Sequence, residues 1–260
     1  MSLIVRTTPD GWECLAELGL SGPAGLLGGE LGGVFGDCVR STPLRRTARV
    51  VLAGGRTVFV KSYAPGAGRI GKIARSRAPA EVEWNAIGSL RDAGMHVPRR
   101  LVAIWSGRGD RAPSALLMRG IEIDGRVAAP LDDVLRSAEN TELAEAWLRQ
   151  VLAPWIRRLH DAGFQHRDLY ACHVLVEPSF AAEPALIDLA RVRRGRMSLR
   201  RRVKDLAAMQ YSLRGLVREP ALRGVLDAYA VGDSAAARSR LTLRVSRKVE
   251  RIARHRPKYG

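Results

Sequence analysis

The sequence predicts an α+β chain in two lobes: a small antiparallel β-sheet lobe carrying one helix, then a larger, mainly helical lobe. Three observations lead there. Short runs rich in β-branched residues crowd residues 34–63, and helix-period patterns dominate after residue 130. Two segments then stand out from the helical half: QHRDLYACHVLV at 165–176 and LIDLARV at 186–192. A length of 260 residues is enough to bury a substantial core, and no Pro/Ser-rich linker divides the chain.

Residues 1–30 read as an N-terminal extension, in which WECLAELGL suits a short helix and SGPAGLLGGELGG a loop. VFGDCV, TARVVLAG and RTVFVKSY read as strands, with Gly54-Gly55 as the tight hairpin between the last two and Lys61 on the third. YAPGAGRIGKI holds both G-x-G-x-x-G (Gly66, Gly68, Gly71) and the start of a Walker A motif (Gly66 to Lys72). Ile73 follows where a phosphate loop needs Ser or Thr, so this segment reads as a basic loop. Pro79 opens a helix, Glu81 and Glu83 suit its positive end, and Gly94 suits its stop. HVPRRLVAIWSG, RGDRAP and SALLMRG make a strand–turn–strand that runs out at Arg119-Gly120, read as the hinge. The lobes are therefore 31–119 and 120–260.

In the second lobe PLDDVLRSAEN is a short helix and TELAEAWLRQVLAPWIRRLHDAG a long amphipathic one. Pro154 interrupts the latter, costing about 3 kcal/mol unless the helix kinks. LRRRVKDLAAMQYSLRGL, a helix near 219–230 and a basic C-terminal helix follow, the last with Val245, Val249 and Ile252 as its apolar stripe. Trp84 and Trp155 sit at core positions, and Cys172 reads as a small core residue.

The net charge of +17, mostly arginine, suits an anionic partner of some kind: nucleic acid, lipid, phosphorylated glycan or nucleotide. Three scattered cysteines give neither a disulfide framework nor a zinc site and point to a reducing compartment. Asp10, Glu13 and Glu17 interrupt any apolar leader, and no run suffices to span a bilayer, so a cytoplasmic protein with at most peripheral membrane contact is expected.

The order of elements is that of the protein-kinase-like fold, and four residues fall where phosphoryl transfer needs them. Lys61 on the third strand can neutralise nucleotide phosphate charge, and Glu83 on the next helix can hold it. Asp168 of His-Arg-Asp can take the proton of the attacking hydroxyl, and Asp188 can hold the magnesium ion. RSTPLRR stands where protein kinases have a glycine-rich loop, so Arg40, Arg45 or Arg46 is expected to cover the phosphates. His166 reads as a buttress of the loop and Asp205 as a cap on its backbone. His173 reads as a metal ligand, a partner of Asp168 or a phosphate contact.

These blocks resemble the lipopolysaccharide core kinases of the Kdo/WaaP type. HRDLYACHVLV is similar to that family's catalytic loop, with His173 where protein kinases carry Asn, and LIDLARV to its metal-binding strand. RRTARVVLAGGRTVFVKSY, EWNAI and VKDLAAMQYSL are similar to further family blocks, so the resemblance spans roughly residues 33–260. It implies ATP and Mg2+ as cofactors, and transfer of phosphate to a heptose or Kdo hydroxyl of the lipopolysaccharide inner core. It also implies an anionic glycan acceptor, with nucleic acid disfavoured and the oligomeric state open. The hinge reads LMRGI, without the acidic residue of heptose kinases. The alternatives are an atypical protein or small-molecule kinase, and a non-catalytic nucleic-acid- or anion-binding module. Intact Lys61, Asp168 and Asp188 argue against the non-catalytic module.

Overall fold

Six antiparallel strands build the sheet of the N-terminal half: β1 (Leu3–Thr7), β2 (Asp37–Thr42), β3 (Arg45–Val51), β4 (Thr57–Tyr63), β5 (Arg100–Ser106) and β6 (Ser114–Arg119). Their spatial order is β1-β5-β6-β4-β3-β2. The structure, a computed structural model, describes residues 3–27, 36–67, 77–107, 113–123, 125–139 and 141–254. Val34, Gly68, Gly71, Lys72, Ile73 and most of the RGDRAP turn lie outside them. The chain forms two units: Met1–Ile121 with Asp188–Arg191, and Glu122–Ile187 with Val192–Gly260.

Residues opposite one another across a sheet share a face. Thr47, Lys61 and Leu116 are such a row, and Ala48, Val60 and Leu117 form the row on the other face. Helix α1 (Pro9–Glu17) covers the second face. Cys14, Leu15, Leu18 and Leu26 pack there with Val58, Val60, Val102, Ile104 and Leu117. Gly11 permits the approach, because a Cβ on it would stand 2.3 Å from the Leu101 carbonyl oxygen. The N-terminal residues, expected as an extension, are thus an edge strand and a covering helix of the sheet. The physical reason is area: without α1 an apolar sheet face would lie open to water.

Helix α2 (Pro79–Asp92) covers the Lys61 face, burying Trp84, Ile87 and Leu90. It starts at Pro79 as expected, and Gly94 at φ 73° ends it. Leu52 and Arg56 close the hairpin between β3 and β4 around Gly55, also at positive φ.

In the second unit α3 (Leu131–Ser137) precedes a long helix built of α4 (Thr141–Trp147), a π-turn segment (Leu148–Leu152) and α5 (Ala153–Asp161). Pro154 does not break it. The N–H of Ala153 reaches back five residues to Leu148, so the turn ahead of the proline widens and the chain continues as a helix. Strands β7 (Glu122–Ile123) and β8 (Arg126–Val127) form a short antiparallel pair at the start of the unit. Strand β10 (Phe164–Gln165) pairs with β13 (Arg193–Arg194), and β11 (Val174–Val176) lies between β12 (Ala185–Leu186) and β9 (Ala129–Pro130). Helices α6 (Leu199–Leu213), α7 (Glu219–Tyr229) and α8 (Ala235–Ala253) complete the unit. Leu241, Val245 and Val249 of α8 are buried, α8 packs on α6, and Arg214 pairs with Glu250 at 2.5 Å. Cys172, expected in the core, is exposed; in its tight turn the core position goes to Ala171.

Candidate active site

Lys61 lies mid-strand in β4, flanked by β3 and β6, and is nearly buried. Its ammonium stands 2.5 Å from Glu83 Oε1 and 3.6 Å from Asp188 Oδ1. Glu83 is 1% exposed, whereas Glu81, two residues earlier on α2, is not buried; helical spacing turns only Glu83 to the sheet. Glu83 Oε1 also accepts from the backbone N–H of Leu189 at 3.2 Å, and Oε2 from the Tyr63 hydroxyl at 2.5 Å. A buried carboxylate is tolerable only when so surrounded. Burial and then the Glu83 charge hold the Tyr63 phenol well above its usual pKa, so it remains a donor.

Arg45 reaches Asp188 Oδ1 at 3.1 Å. Burial opposes its charge, but Asp188, Tyr63 and Glu83 outweigh that and hold the guanidinium above its usual pKa. Arg46 stands across from Ser62, on the sheet face away from Lys61. The expectation that it covers phosphate beside Lys61 therefore does not fit: strand alternation separates neighbours that the sequence sets side by side. Asp188 itself has φ 57°, a left-handed conformation that Asp tolerates better than most residues.

Asp168 belongs to the second unit, in the loop leaving β10. Arg167 sits there at φ 77°. Fully buried Asp205 holds this turn, accepting the backbone N–H groups of His166 at 2.7 Å and Arg167 at 2.9 Å. Behind it His160 Nε2 lies 3.4 Å from Asp205 Oδ2, and His160 Nδ1 lies 2.8 Å from the Tyr229 hydroxyl. A carboxylate only accepts, so Nε2 is the donor to Asp205, and Nδ1 accepts from the Tyr229 hydroxyl. Burial raises the Tyr229 pKa to about 12, which keeps that donor in place.

The rest of the loop is pinned from its other side. His166 Nε2 donates to the Ile187 carbonyl at 3.0 Å, and the Ile187 N–H donates to the His173 carbonyl at 3.0 Å. His173 Nδ1 donates to the carbonyl of Asp168 at 2.8 Å, and Ser212 Oγ accepts the N–H of Ala171. The sequence reading missed Tyr63, His160 and Tyr229. For Tyr63 the signal was available, since alternation puts it on the Lys61 face of β4. Tyr229 lies 69 residues from His160 and left none.

The donor set bears on metal binding. Among the described residues no group of three or more His, Cys, Asp or Glu side chains is disposed to hold an ion. Magnesium needs no such cage: one or two carboxylates suffice, completed by phosphate oxygens and water. Asp188 fits that chemistry. The imidazole of His173 is a softer donor than magnesium prefers; its Nδ1 donates to the Asp168 carbonyl, which leaves Nε2 as the ring's acceptor.

A strand lysine held by a helix glutamate, in an α+β chain whose helical half carries a braced His-Arg-Asp loop, defines a protein-kinase-like phosphotransferase. Comparison with known proteins narrows this. The model of the lipopolysaccharide kinase (Kdo/WaaP) family matches residues 31–229, so the chain belongs to that family and is an ATP-using kinase. The lipopolysaccharide core heptose(I) kinase WaaP of Escherichia coli is 29% identical over 68% of this chain and 71% of its own. That of Pseudomonas aeruginosa is 32% identical over 72% and 75%. A solved structure of WaaP in complex with acyl carrier protein aligns with a TM-score of 0.67 at 24% identity, covering 97% of this chain and 99% of that one.

Proposed function

We propose that this kinase transfers the γ-phosphoryl group of ATP to a sugar hydroxyl of the lipopolysaccharide inner core, with heptose favoured over Kdo. The observation that carries the reading is the Lys61–Glu83–Asp188 group in a chain similar to the heptose(I) kinases of Escherichia coli and Pseudomonas aeruginosa. Lys61 and Arg45 bring positive charge to the nucleotide phosphates, Lys61 oriented by Glu83 and Glu83 by Tyr63. Asp188 is the carboxylate that would hold magnesium, once Arg45 has left it. The ion would supply positive charge against the negative charge that builds on the transferred phosphoryl group.

Asp168 accepts the proton of the sugar hydroxyl. Asp205 fixes the backbone from which Asp168 projects, and His173 braces it through its carbonyl. In a loose transition state most of the rate comes from such placed charge. By likeness to the solved relative, an acyl carrier protein is a candidate partner. Peripheral association with the cytoplasmic face of an anionic membrane belongs to the same reading.

The test offers radiolabelled ATP and core acceptors ending in heptose or Kdo, with protein and aminoglycoside as controls. Label is expected on the heptose acceptor. Lys61→Met and Asp168→Asn should each lower kcat at least a hundredfold, the scale of a lost catalytic base or phosphate ligand. Label on protein or aminoglycoside alone, or full activity in both variants, overturns the reading.

A further inference from the structure

Residues 193–202 hold six arginines and no acid, the densest basic run of the second unit. They border a hollow of about 390 Å3, within the roughly 300–1,000 Å3 of small-molecule sites. Its walls are the end of α5 at Asp161 and Gly163, the segment Arg194–Arg196, and Arg202 of α6. Two glycines shape it. The N–H of Gly195 donates to the Gly163 carbonyl at 2.8 Å, and a Cβ on Gly163 would stand 3.2 Å from Gly195 oxygen.

The charge around the hollow is unbalanced. Asp161 faces two arginines, Arg202 at 3.0 Å and Arg157 at 2.8 Å. Among the described residues no carboxylate pairs with Arg194 or Arg196. Arg194 stacks on buried Phe164, its guanidinium carbon 5.4 Å from the ring centroid, which orders the side chain without using its N–H groups. Like charges gathered without counter-charge oppose folding, and such a local conflict marks a site rather than a stabilising feature.

We infer that this hollow is a subsite for an acidic group of the acceptor, a carboxylate or phosphate on a sugar near the one phosphorylated. The guanidinium fork suits both anions. The placement suits an oligosaccharide, because β10 leads from the hollow into the catalytic loop. Gly163 and Asp168 are five chain positions apart, and so at most about 18 Å from each other. A concave site with glycine-narrowed walls favours a sugar acid over a flat lipid surface. The inference rests on the glycan-kinase reading above.

The test compares wild type with Arg194→Gln/Arg196→Gln on core oligosaccharide that is intact, carboxyl-reduced or dephosphorylated. With intact acceptor the double variant should raise KM about tenfold, the worth of one charge-assisted hydrogen bond, with KM for ATP unchanged. Whichever neutralised acceptor raises the wild-type KM equally, and is bound no worse by the variant, identifies the group. Equal KM on intact acceptor, or equal weakening on every acceptor, overturns the subsite. Calorimetric binding of the same oligosaccharides needs no turnover. It decides the subsite even if wild type phosphorylates none of them, an outcome that would sink only the function. Should the double variant melt early, Arg196→Gln, at an exposed side chain, replaces it.

Discussion

Asp205 is where single residues decide most. It holds the backbone of His166 and Arg167 and is itself held by His160, which Tyr229 holds in turn. Tyr229→Phe removes one hydroxyl and leaves His160 Nδ1 buried without its donor, costing about 1–3 kcal/mol. If the relay positions the loop, kcat falls several-fold while KM for ATP holds, measured at a temperature where the variant stays folded. A lower melting temperature with kcat intact would make Tyr229 a packing residue only. The pairing of Lys61 with Glu83 and the hold of Asp205 on the loop were legible because each residue sits inside a motif or a helical period. Tyr229 was not legible, because a hydrogen bond across 69 residues leaves no local pattern. Cys172 misled for a related reason: an apolar motif does not say which of its residues faces inward within a three-residue turn.

Among the elements, most strands and helices could be read from alternation and from punctuation by Gly and Pro. Strand β1 could not, since its partner strand begins nearly a hundred residues later and its five residues are largely exposed. Gly11 tests that α1 belongs to the sheet. Gly11→Ala drives a methyl into the Leu101 carbonyl, backbone that cannot swing aside, for about 2 kcal/mol and a melting temperature lower by several degrees. An unchanged melt would detach α1 from the sheet. A second element contact carries a pH signature. Glu145 of α4 accepts the N–H and guanidinium of Arg218 where α7 begins. The hydrogen bond from Arg218 outweighs burial and lowers the Glu145 pKa below 4.5. A depressed carboxylate stabilises the fold above its unfolded value and loses that effect as pH falls through its folded one. Glu145→Gln should therefore melt below wild type near neutrality, and the gap should close below pH 4.5. A gap that persists in acid would assign the loss to packing.

For the molecule as a whole, the α+β class was legible from the order of elements, while the use of its +17 charge was not, because charge names no partner. The C-terminal helix narrows the choice. This basic helix could rest on an anionic membrane surface. Leu241, Val245 and Val249 are buried, leaving Arg238, Arg240, Arg244, Arg247 and Arg251 outward. No helix among the described residues is long and apolar enough to cross a bilayer. Contact through α8 would then be electrostatic, without insertion, and must fade as salt shortens the Debye length from about 10 Å at 0.1 M to about 3 Å at 1 M. The chain should sediment with phosphatidylglycerol vesicles at the lower salt, not at the higher, and not with phosphatidylcholine. Reversing Arg240, Arg244, Arg247 and Arg251 to Glu should abolish binding even at low salt, since all four face away from the core. Binding that survives 1 M salt, or the four reversals, would rule out α8 as the contact. It would turn attention to the exposed apolar residues Leu3, Ile4, Val5 and Trp12, which salt does not weaken.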